Sequence, residues 1–322
     1  MAMLLRDDNV FHQQCPRSYL AGTAERHGVH LTVVGAPDAL PGALADADIF
    51  VGSETPPDVL AMAPGLAWIH AIAAGVEKVM VPAIRDSNVR VTNSAGTMAP
   101  EVAEHALALT LALTRRIDRV VVAQRGHEWA PIRRDHPPIS LGDLLVGIVG
   151  YGRIGRAIAA RAGAFGARVI GLRRLPAEPD GHAEQILGRD GLVELLSRAD
   201  VVMAALPDVP DAHGMFGARA FQVMKPTAYF INVGRGAVVD EIALARALGN
   251  GLIAGAACDV FREEPLPADS PLWDAPNFIM SPHLAGGSQH VWKRVIDLLF
   301  DNVERWRRGA PLLNEVDKAS GY

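Results

Sequence analysis

Short apolar runs, many of them rich in β-branched residues, recur along the chain and are separated by stretches with helical periodicity. They lie at His30–Val34, Ile49–Val51, Ala67–Ile72, Val89–Thr92, Val146–Val149, Arg168–Leu172, Val201–Ala205, Tyr229–Val233, Ala254–Cys258 and Phe278–Met280. Apolar runs that alternate with helices are typical of parallel sheets covered by helices on both faces. The pattern therefore predicts an α/β fold built from doubly wound parallel sheets.

Two helical patterns stand out between and after these runs. The longer one covers roughly residues 99–124 and precedes a polar, proline-rich stretch, while the other, residues 288–308, is amphipathic. A chain of 322 residues favours two domains, each with its own core. We therefore expect a domain boundary near the long helix and a second sheet between about residues 115 and 284.

The segment GIVGYGRIGR, residues 147–156, places three glycines between an apolar run and a helical stretch. This context predicts a dinucleotide-binding turn. Gly150 allows the tight turn, Gly152 lets the backbone approach a pyrophosphate, and Gly155 lets the helix pack close to the strand. The N–H groups at the start of the helix, around Arg153 and Ile154, would then bind the anion.

The residues that end the next strand indicate which dinucleotide binds. In such folds an acidic residue about 20 positions beyond the glycines hydrogen-bonds the ribose 2′-hydroxyl of NAD, and an arginine accommodates the 2′-phosphate of NADP. Here Arg173 and Arg174 follow the strand pattern, and the nearest carboxylates, Glu178 and Asp180, lie farther along. Paired guanidinium groups can bind a phosphate. The sequence favours NADP(H), with NAD(H) and a solvated arginine pair as the alternative.

Composition and charge exclude several other classes of protein. The formal net charge of −5 argues against a nucleic-acid partner. The two cysteines, Cys15 and Cys258, allow neither a disulfide framework nor a four-thiolate metal site, and the histidines lack metal-ligand spacing. The N-terminus does not match a signal peptide, and the apolar segment 106–114 is too short to span a bilayer. We expect a cytoplasmic protein with no membrane, metal or nucleic-acid partner.

Strongly polar residues follow three of the later apolar runs, where an open α/β sheet binds its ligand. These segments are INVGRGAVVDE (231–241), CDVFREEPLP (258–267) and SPHLAGG (281–287). Together they supply the groups that reduction of a 2-oxo acid needs. Arg235 can hold a carboxylate and polarise a carbonyl, His283 can donate a proton, and Glu264 can favour the protonated imidazole. Each residue alone would more often be structural, but their order after the glycine motif favours catalysis.

With these motifs the chain resembles the D-isomer-specific 2-hydroxyacid dehydrogenases along nearly its whole length. The matching segments are AAGVEKV (73–79), NSAGTMAPEVAEHAL (93–107), GIVGYGRIGR (147–156), LPDVPDAHGMFG (206–217), MKPTAYFINVGRGAVVDEIAL (224–244), AACDVFREEPLP (256–267), PLWDAPNFIMSPHLAGGS (271–288) and GAPLLNEVD (309–317). The resemblance implies that Arg235, Glu264 (rather than Glu263) and His283 are catalytic. It also implies an oxidoreductase that interconverts 2-oxo acids and D-2-hydroxy acids.

The resemblance assigns further residues to the substrate and the cofactor. Backbone N–H groups of Ala74, Gly75 and Val76 would hold the substrate carboxylate. Asp259 would contact the nicotinamide carboxamide, while Thr97 and Pro207 would line the cofactor cleft.

Arg173 stands where NAD-using members carry an acid, as in NADPH-preferring glyoxylate/hydroxypyruvate reductases. Glyoxylate, hydroxypyruvate, phenylpyruvate and branched 2-oxo acids all remain open as substrates. His70 is either a polar group facing the substrate or, as we favour, a hydrogen-bonded core residue.

The resemblance also implies an inserted domain and a dimer. A Rossmann cofactor domain, residues 115–285, would interrupt a flavodoxin-like substrate domain of residues 1–114 and 286–322, with closure by hinge motion. A homodimer is expected, with the long helix and the following segment at its interface. Trp129 would reach the partner or pack within its own loop.

Two alternatives use the same scaffold. Formate-type enzymes place glutamine where Glu264 stands, which disfavours them, and a phosphite oxidase would need contacts of which the sequence gives no sign. The other is a non-enzymatic NAD(P)-sensing protein of the corepressor type. Such proteins add docking features and long tails that we do not find here.

Overall fold

The computed structural model describes residues 1–6, 17–35, 37–129 and 137–319. The strands are β1 Ala2–Arg6, β2 His30–Val34, β3 Ile49–Gly52, β4 Trp68–Ala71, β5 Arg90–Asn93, β6 Leu145–Val149, β7 Arg168–Leu172, β8 Gln185–Leu187, β9 Val201–Ala204, β10 Tyr229–Asn232, β11 Gly255–Cys258 and β12 Phe278–Met280. The α-helices are α1 Arg17–Arg26, α2 Leu40–Leu44, α3 Val59–Met62, α4 Pro82–Arg85, α5 Ala99–Thr114, α6 Ile117–Arg125, α7 Arg153–Ala164, α8 Leu192–Arg198, α9 Ala218–Val223, α10 Glu241–Gly249 and α11 Val291–Arg307. The chain forms two compact units, residues 1–98 with 287–322 and residues 99–286.

The first unit is a five-stranded parallel sheet in the order β2-β1-β3-β4-β5. This is the flavodoxin-like order. Both faces of the sheet are buried because side chains alternate along each strand. Met3 and Leu5 pack in one core cluster with residues of α1 and α11, whereas Leu4 packs in another with residues of α2, α3 and α4. The near-continuous apolar strands follow from this two-sided burial.

The second unit is a seven-stranded parallel sheet in the order β12-β11-β10-β9-β6-β7-β8. Strand β6 lies between β7 and β9, so the chain reverses direction across the sheet at this strand. Ligands of such sheets bind at this switch point, outside the carboxyl ends of the strands. The loops that follow β6, β7, β9, β10, β11 and β12 all leave the sheet at this end, and they carry the predicted catalytic residues and every predicted cofactor residue except Thr97.

The predicted α/β class with two parallel-sheet domains is confirmed, and each predicted apolar run lies on a strand. Two strands were not predicted. The apolar residues of β1 stand at the very start of the chain, where no preceding helix marks them as part of an alternating unit. Strand β8 has three residues, and only its middle residue is buried. A run this short carries no readable periodicity.

The single long helix expected over 99–124 is two helices, α5 and α6. Arg116 lies between them with a left-handed backbone, φ 60°, which ends the first helix. No glycine or proline stands between residues 101 and 125 to mark this break in the sequence.

The division of the chain also differs from the expected boundary at residue 114. Helix α5 belongs to the second unit, because it packs against α7 and against strands β10 and β11. The first boundary therefore lies at residue 98, before the helix, while the second, at 286/287, lies next to its expected position at 285/286.

No helix among the described residues is long and apolar enough to cross a membrane. Within the same residues, no group of three or more His, Cys, Asp or Glu side chains could hold a metal ion. Cys258 is buried with a free thiol, and Cys15 lies outside the described residues.

Candidate active site

The glycine-rich turn follows β6 and leads directly into α7. Gly150 has φ +99°, and a Cβ there would lie 2.5 Å from the carbonyl oxygen of Ala205, so only glycine fits. A Cβ on Gly155 would lie 2.5 Å from the carbonyl oxygen of Gly150 and 3.1 Å from Cγ2 of Ile148. These contacts agree with the turn and packing roles predicted for the two glycines.

Gly152 differs from the other two because a Cβ there would meet no atom within 4 Å. The space beside this residue is open, as a group that binds close to the backbone would require. Gly152 is also the N-cap of α7, and no side chain caps the helix. The first N–H groups of α7 therefore have no capping side chain, and the helix N-terminus suits a phosphate. The residues present fit a bound dinucleotide.

This geometry predicts that Gly152→Ala folds normally but binds the dinucleotide at least about tenfold more weakly, because the added methyl group occupies space beside the pyrophosphate. Calorimetric titration with NADPH and thermal unfolding would measure the two properties. Gly163→Ala is the matched control, since Gly163 is also in α7 with open space around it. It should bind NADPH normally and gain about 0.5–1 kcal/mol of stability. Normal NADPH binding by Gly152→Ala would contradict the assignment.

The adenosine end of the predicted site lies after β7. Arg173 and Arg174 are both exposed there, and the Arg173 side chain pairs with no other described residue. Asp180, one of the carboxylates considered as an NAD contact, is already engaged. It accepts hydrogen bonds from the Tyr151 hydroxyl at 2.9 Å and from two backbone amides, and its Oδ2 lies 3.0 Å from Nε of Arg156.

These contacts explain the ionisation of Asp180. Burial favours the neutral acid, but the hydrogen bonds from His182, Tyr151 and Ala183 and the charge of Arg156 outweigh it and lower the pKa of Asp180. Burial and the same carboxylate raise the pKa of Tyr151. Asp180 therefore fixes the loop after Arg174.

Arg235 begins the turn after β10. The buried Asn232 side chain donates to the Arg235 carbonyl at 3.0 Å and accepts from the Gly234 amide at 3.1 Å, which closes the turn. A Cβ on Gly236 would overlap the backbone of Phe261, so this turn packs directly on the segment after β11. The Arg235 side chain is partly buried, and its Nη1 donates to the Gly234 carbonyl at 2.9 Å.

The structure brings Glu264 and His283 together. Nδ1 of His283 lies 2.7 Å from Oε2 of Glu264, while Oε1 of Glu264 accepts from the Phe261 amide at 2.9 Å. The His283 side chain is 56% exposed, so its other ring nitrogen can reach a ligand. His283 has a left-handed backbone, φ 55°, which is uncommon for a residue with a side chain. Such backbone conformations are concentrated at functional sites.

Asp259 directly follows β11 and is buried. Asp259 is 1% exposed. Its carboxylate accepts hydrogen bonds from the Ser281 hydroxyl at 2.6 Å and from the Leu284 and Ala285 amides at 2.9 Å each. Burial opposes ionisation, but hydrogen bonds from His105, Ser281 and these amides lower the pKa of Asp259. The carboxylate thus holds the loop that follows His283.

In the first unit, Ala74, Gly75 and Val76 form a loop after β4. Asn93 fixes this loop by donating to the Ala74 carbonyl at 2.8 Å. The amides of the three residues donate to no other described residue. Consecutive unpaired N–H groups in a turn suit an anion such as a carboxylate.

The remaining predicted residues are mostly covered by protein. Thr97 is 8% exposed, and its hydroxyl donates to the Ser94 carbonyl at 2.7 Å, whereas Pro207 is exposed. His70 is fully buried, and its ring nitrogens lie 2.7 Å from Thr92 Oγ1 and 3.1 Å from Ser94 Oγ. Burial lowers the pKa of His70 to about 3, so the ring is neutral. The interpretation of His70 as a hydrogen-bonded core residue is confirmed.

Comparison with known proteins identifies the family. The family model for the NAD binding domain of D-isomer specific 2-hydroxyacid dehydrogenases matches residues 107–285. Glyoxylate reductase of Korarchaeum cryptofilum is 34% identical over 274 residues, which are 82% of this chain and 81% of the relative. Glyoxylate/hydroxypyruvate reductase B of Pectobacterium carotovorum is 38% identical over 285 residues, 85% of this chain and 88% of the relative. The chain belongs to the D-isomer specific 2-hydroxyacid dehydrogenase family.

Solved structures of other D-2-hydroxyacid dehydrogenases have the same fold. An NADPH-dependent glyoxylate/hydroxypyruvate reductase from Sinorhizobium meliloti, in complex with NADP and sulfate, aligns over 100% of both chains with a TM-score of 0.85 and 26% identity. A member from Xanthobacter autotrophicus in complex with NADPH and MES covers 100% of this chain and 99% of its own, with a TM-score of 0.85 and 28% identity. This D-2-hydroxyacid dehydrogenase is therefore an oxidoreductase with a nicotinamide-dinucleotide-binding domain, and the sequence prediction of family and enzyme class is confirmed.

Sequence reasoning about this dehydrogenase missed three site residues. Ser281 and His105 contact Asp259, and Tyr151 contacts Asp180. Tyr151 lies in the glycine motif and Ser281 in the SPHLAGG motif. Roles were assigned there to neighbouring residues, including the glycines and His283. His105 precedes Ser281 by 176 positions, and no local pattern pairs the two.

Proposed function

We propose that this dehydrogenase reduces a small 2-oxo acid, of the glyoxylate or hydroxypyruvate type, to the D-2-hydroxy acid with NADPH as the preferred cofactor. The His283–Glu264 pair is the observation that carries the proposal. The pair lies in loops at the carboxyl ends of β11 and β12, the end of the sheet from which the glycine turn and Arg235 also emerge. An imidazole that is oriented by a carboxylate and half exposed is the arrangement that a general acid needs.

The roles of the residues follow from their chemistry. When bound, the reduced nicotinamide supplies the hydride that the carbonyl carbon receives. Arg235 holds the substrate carboxylate through paired hydrogen bonds and polarises the carbonyl. His283 donates its proton to the carbonyl oxygen as negative charge develops there, and Glu264, in contact with Nδ1, orients the ring for that transfer. The unpaired amides of Ala74, Gly75 and Val76 in the first unit are also suited to a carboxylate.

The substrate class rests on the relatives and on the need for a carboxylate partner. Proteins named glyoxylate reductase and glyoxylate/hydroxypyruvate reductase recur among the relatives. These relatives are enzymes, which favours the catalytic interpretation over a cofactor-sensing protein.

Initial rates of NADPH and NADH oxidation with glyoxylate, hydroxypyruvate and phenylpyruvate test the proposal. We expect turnover with at least one of the first two acids and a kcat/KM for NADPH at least about tenfold above that for NADH, a difference of about 1.4 kcal/mol. Turnover with phenylpyruvate alone would contradict the proposed small substrate and indicate a larger 2-oxo acid. Absence of turnover with all three acids and both cofactors would contradict the proposed function.

The cofactor preference depends on the two arginines after β7. Arg173→Ala with Arg174→Ala should lower kcat/KM with NADPH by about ten- to a hundredfold, the effect of losing charge-assisted hydrogen bonds to a phosphate. With NADH, which lacks this phosphate, the rate should stay within about threefold. Parallel assays of both cofactors measure the difference.

Arg168→Ala is the matched control for this variant, because Arg168 begins the same strand at its opposite end and pairs with Glu184 at 2.8 Å. It should leave both cofactors unaffected. Equal losses of kcat/KM with NADPH and NADH in the Arg173/Arg174 variant would mean that the arginines do not recognise the 2′-phosphate.

We also propose that the protein is a homodimer that buries one face of α6. No residue of this helix is buried within the described chain. Ile117, Val120, Val121 and Val122 are 42–67% exposed, and Trp129 just beyond the helix is 99% exposed. An exposed apolar helix of this kind is typical of a subunit interface.

Sedimentation equilibrium tests this assembly. The wild-type protein should sediment at about twice 34.3 kDa, and Val121→Glu should shift the equilibrium toward the monomer by tenfold or more, since it places a charge in an apolar interface. Val193→Glu, on the exposed side of α8, is the control and should leave the dimer intact. A monomeric wild-type protein would contradict the proposal.

A further inference from the structure

His105 lies on α5, far along the chain from the catalytic loops, and its ring is 26% exposed. Nε2 of this histidine is 2.9 Å from Ser281 Oγ and 3.3 Å from Oδ1 of Asp259. No local sequence pattern gives this residue a role, and the proposed mechanism does not use it.

The hydrogen bonds fix which group donates. The Ser281 hydroxyl has one proton, and its 2.6 Å contact with the Asp259 carboxylate accounts for that proton. Nε2 of His105 must therefore be the donor in its contact with Ser281 Oγ. Oδ1 of Asp259 lies 3.3 Å from the same nitrogen. His105 thus acts as a hydrogen-bond donor to a serine–carboxylate pair.

The carboxylate in turn controls the backbone around His283. Oδ1 accepts a hydrogen bond from the Leu284 amide and Oδ2 accepts one from the Ala285 amide. The carboxylate therefore holds the two residues that follow His283. The His283 amide donates to the Asp259 carbonyl at 2.8 Å. Within these contacts His283 is held at φ 55°, a conformation that a non-glycine residue keeps only when its surroundings enforce it.

The carboxylate of Asp259 is nearly inaccessible, and no lysine or arginine in the described ranges pairs with it. Ser281 and His105 are the two side chains that donate to it in that part of the chain. A buried carboxylate needs such partners to stay ionised and in place. Loss of His105 would leave Ser281 as the one described side chain that donates to this carboxylate.

We propose that His105 is a positioning residue for the reaction, acting through Ser281 and Asp259 to hold His283 in its left-handed backbone conformation beside Glu264. This proposal rests on the proposed function in taking His283 as the acid. His105 touches neither substrate nor cofactor in this role. Its effect is on the geometry of proton donation, so it bears on kcat rather than on cofactor affinity.

His105→Leu and His105→Gln form a matched pair. Both residues are good helix formers, so α5 is preserved. The Gln side-chain amide carries an N–H donor near the position of Nε2, whereas leucine has none. We expect His105→Leu to lower kcat by about tenfold or more, since small displacements of a reacting group have effects of this order. His105→Gln should recover most of the loss, and the Kd for NADPH should stay within about twofold in both variants.

Hydrogen exchange supplies a readout that does not depend on turnover. In His105→Leu the amides of Leu284 and Ala285 should exchange at least about tenfold faster than in the wild type, and in His105→Gln at nearly the wild-type rate. Ser281→Ala, a smaller change at the bridging hydroxyl, should reproduce the leucine variant. It decides the question should His105→Leu not fold.

Wild-type kcat and wild-type exchange in His105→Leu would overturn the proposal. Equal losses of kcat in the leucine and glutamine variants would also overturn it, because the effect would then not depend on an N–H donor at this position. If the wild-type protein turned over no 2-oxo acid, the proposed function would fail by itself. The exchange rates at Leu284 and Ala285 would still decide whether His105 holds the loop.

Discussion

His283→Asn is expected to lower kcat of the reductase by about 10²- to 10⁴-fold, the range for removal of a general acid. Asparagine is the informative replacement because it tolerates the left-handed backbone that His283 adopts, φ 55°, better than alanine does. The loop should therefore keep its shape while the proton donor is lost. Steady-state rates with NADPH and the best 2-oxo acid measure the effect.

A separate measurement distinguishes catalysis from structure in this variant. The Kd for NADPH, measured by calorimetry, should stay within about threefold of the wild-type value because His283 is not a proposed cofactor contact. His213→Asn serves as a control, since His213 pairs with Asp208 on the surface. Turnover by His283→Asn within about threefold of wild type would remove His283 from the mechanism.

The second large effect is expected at Arg235. Arg235→Lys should lower kcat/KM for the 2-oxo acid by about 10²-fold, because lysine keeps the charge but cannot form paired hydrogen bonds to a carboxylate. Arg235→Ala should lower it by at least as much. The loss should appear in both KM and kcat, since the arginine binds the substrate and also stabilises the charge that develops on the carbonyl oxygen.

Arg189→Lys is a suitable comparison for Arg235→Lys, because Arg189 is an exposed arginine paired with Asp211 at 2.9 Å. It should leave kcat/KM unchanged. A loss confined to the Kd for NADPH in the Arg235 variants would assign this arginine to the cofactor instead of the substrate. Calorimetric titration with NADPH and rate measurements over a range of 2-oxo acid concentrations separate the two cases.

Much of the fold follows from local patterns in the sequence. Strands buried on both faces have near-continuous apolar runs, so β3, β6 and β9 are visible without tertiary information. The glycine turn is equally local, because Gly150 needs a positive φ and a Cβ on Gly155 would meet the carbonyl oxygen of Gly150, five residues before it. The break at Arg116 was not visible, since no glycine or proline stands between residues 101 and 125 to mark it.

The candidate site divides in the same way. Glu264 and His283 could be named from their motifs because parallel strands bring their carboxyl ends to one edge, and the structure places the two side chains 2.7 Å apart. The boundary between the two units could not be predicted from the sequence, since the apolar surface of α5 does not show which unit it packs against. Its contacts with α7 place it in the second unit. Asp259 shows the limit most clearly. The sequence places it after a strand, while the fold buries it and turns its carboxylate to the backbone at Leu284 and Ala285.

The sequence by itself therefore determined the two parallel sheets, the nucleotide-binding turn and the residue types needed for reducing a 2-oxo acid. These features depend on periodicity and on groups carried within single motifs. Only the tertiary structure decided that Asp180 and Asp259 are engaged by protein groups, and that His105 reaches the loop of His283. Such contacts join residues as far apart as His105 and Ser281, 176 positions along the chain. Hydrogen bonds between distant segments form only after the apolar core has placed those segments together, so no local pattern records them.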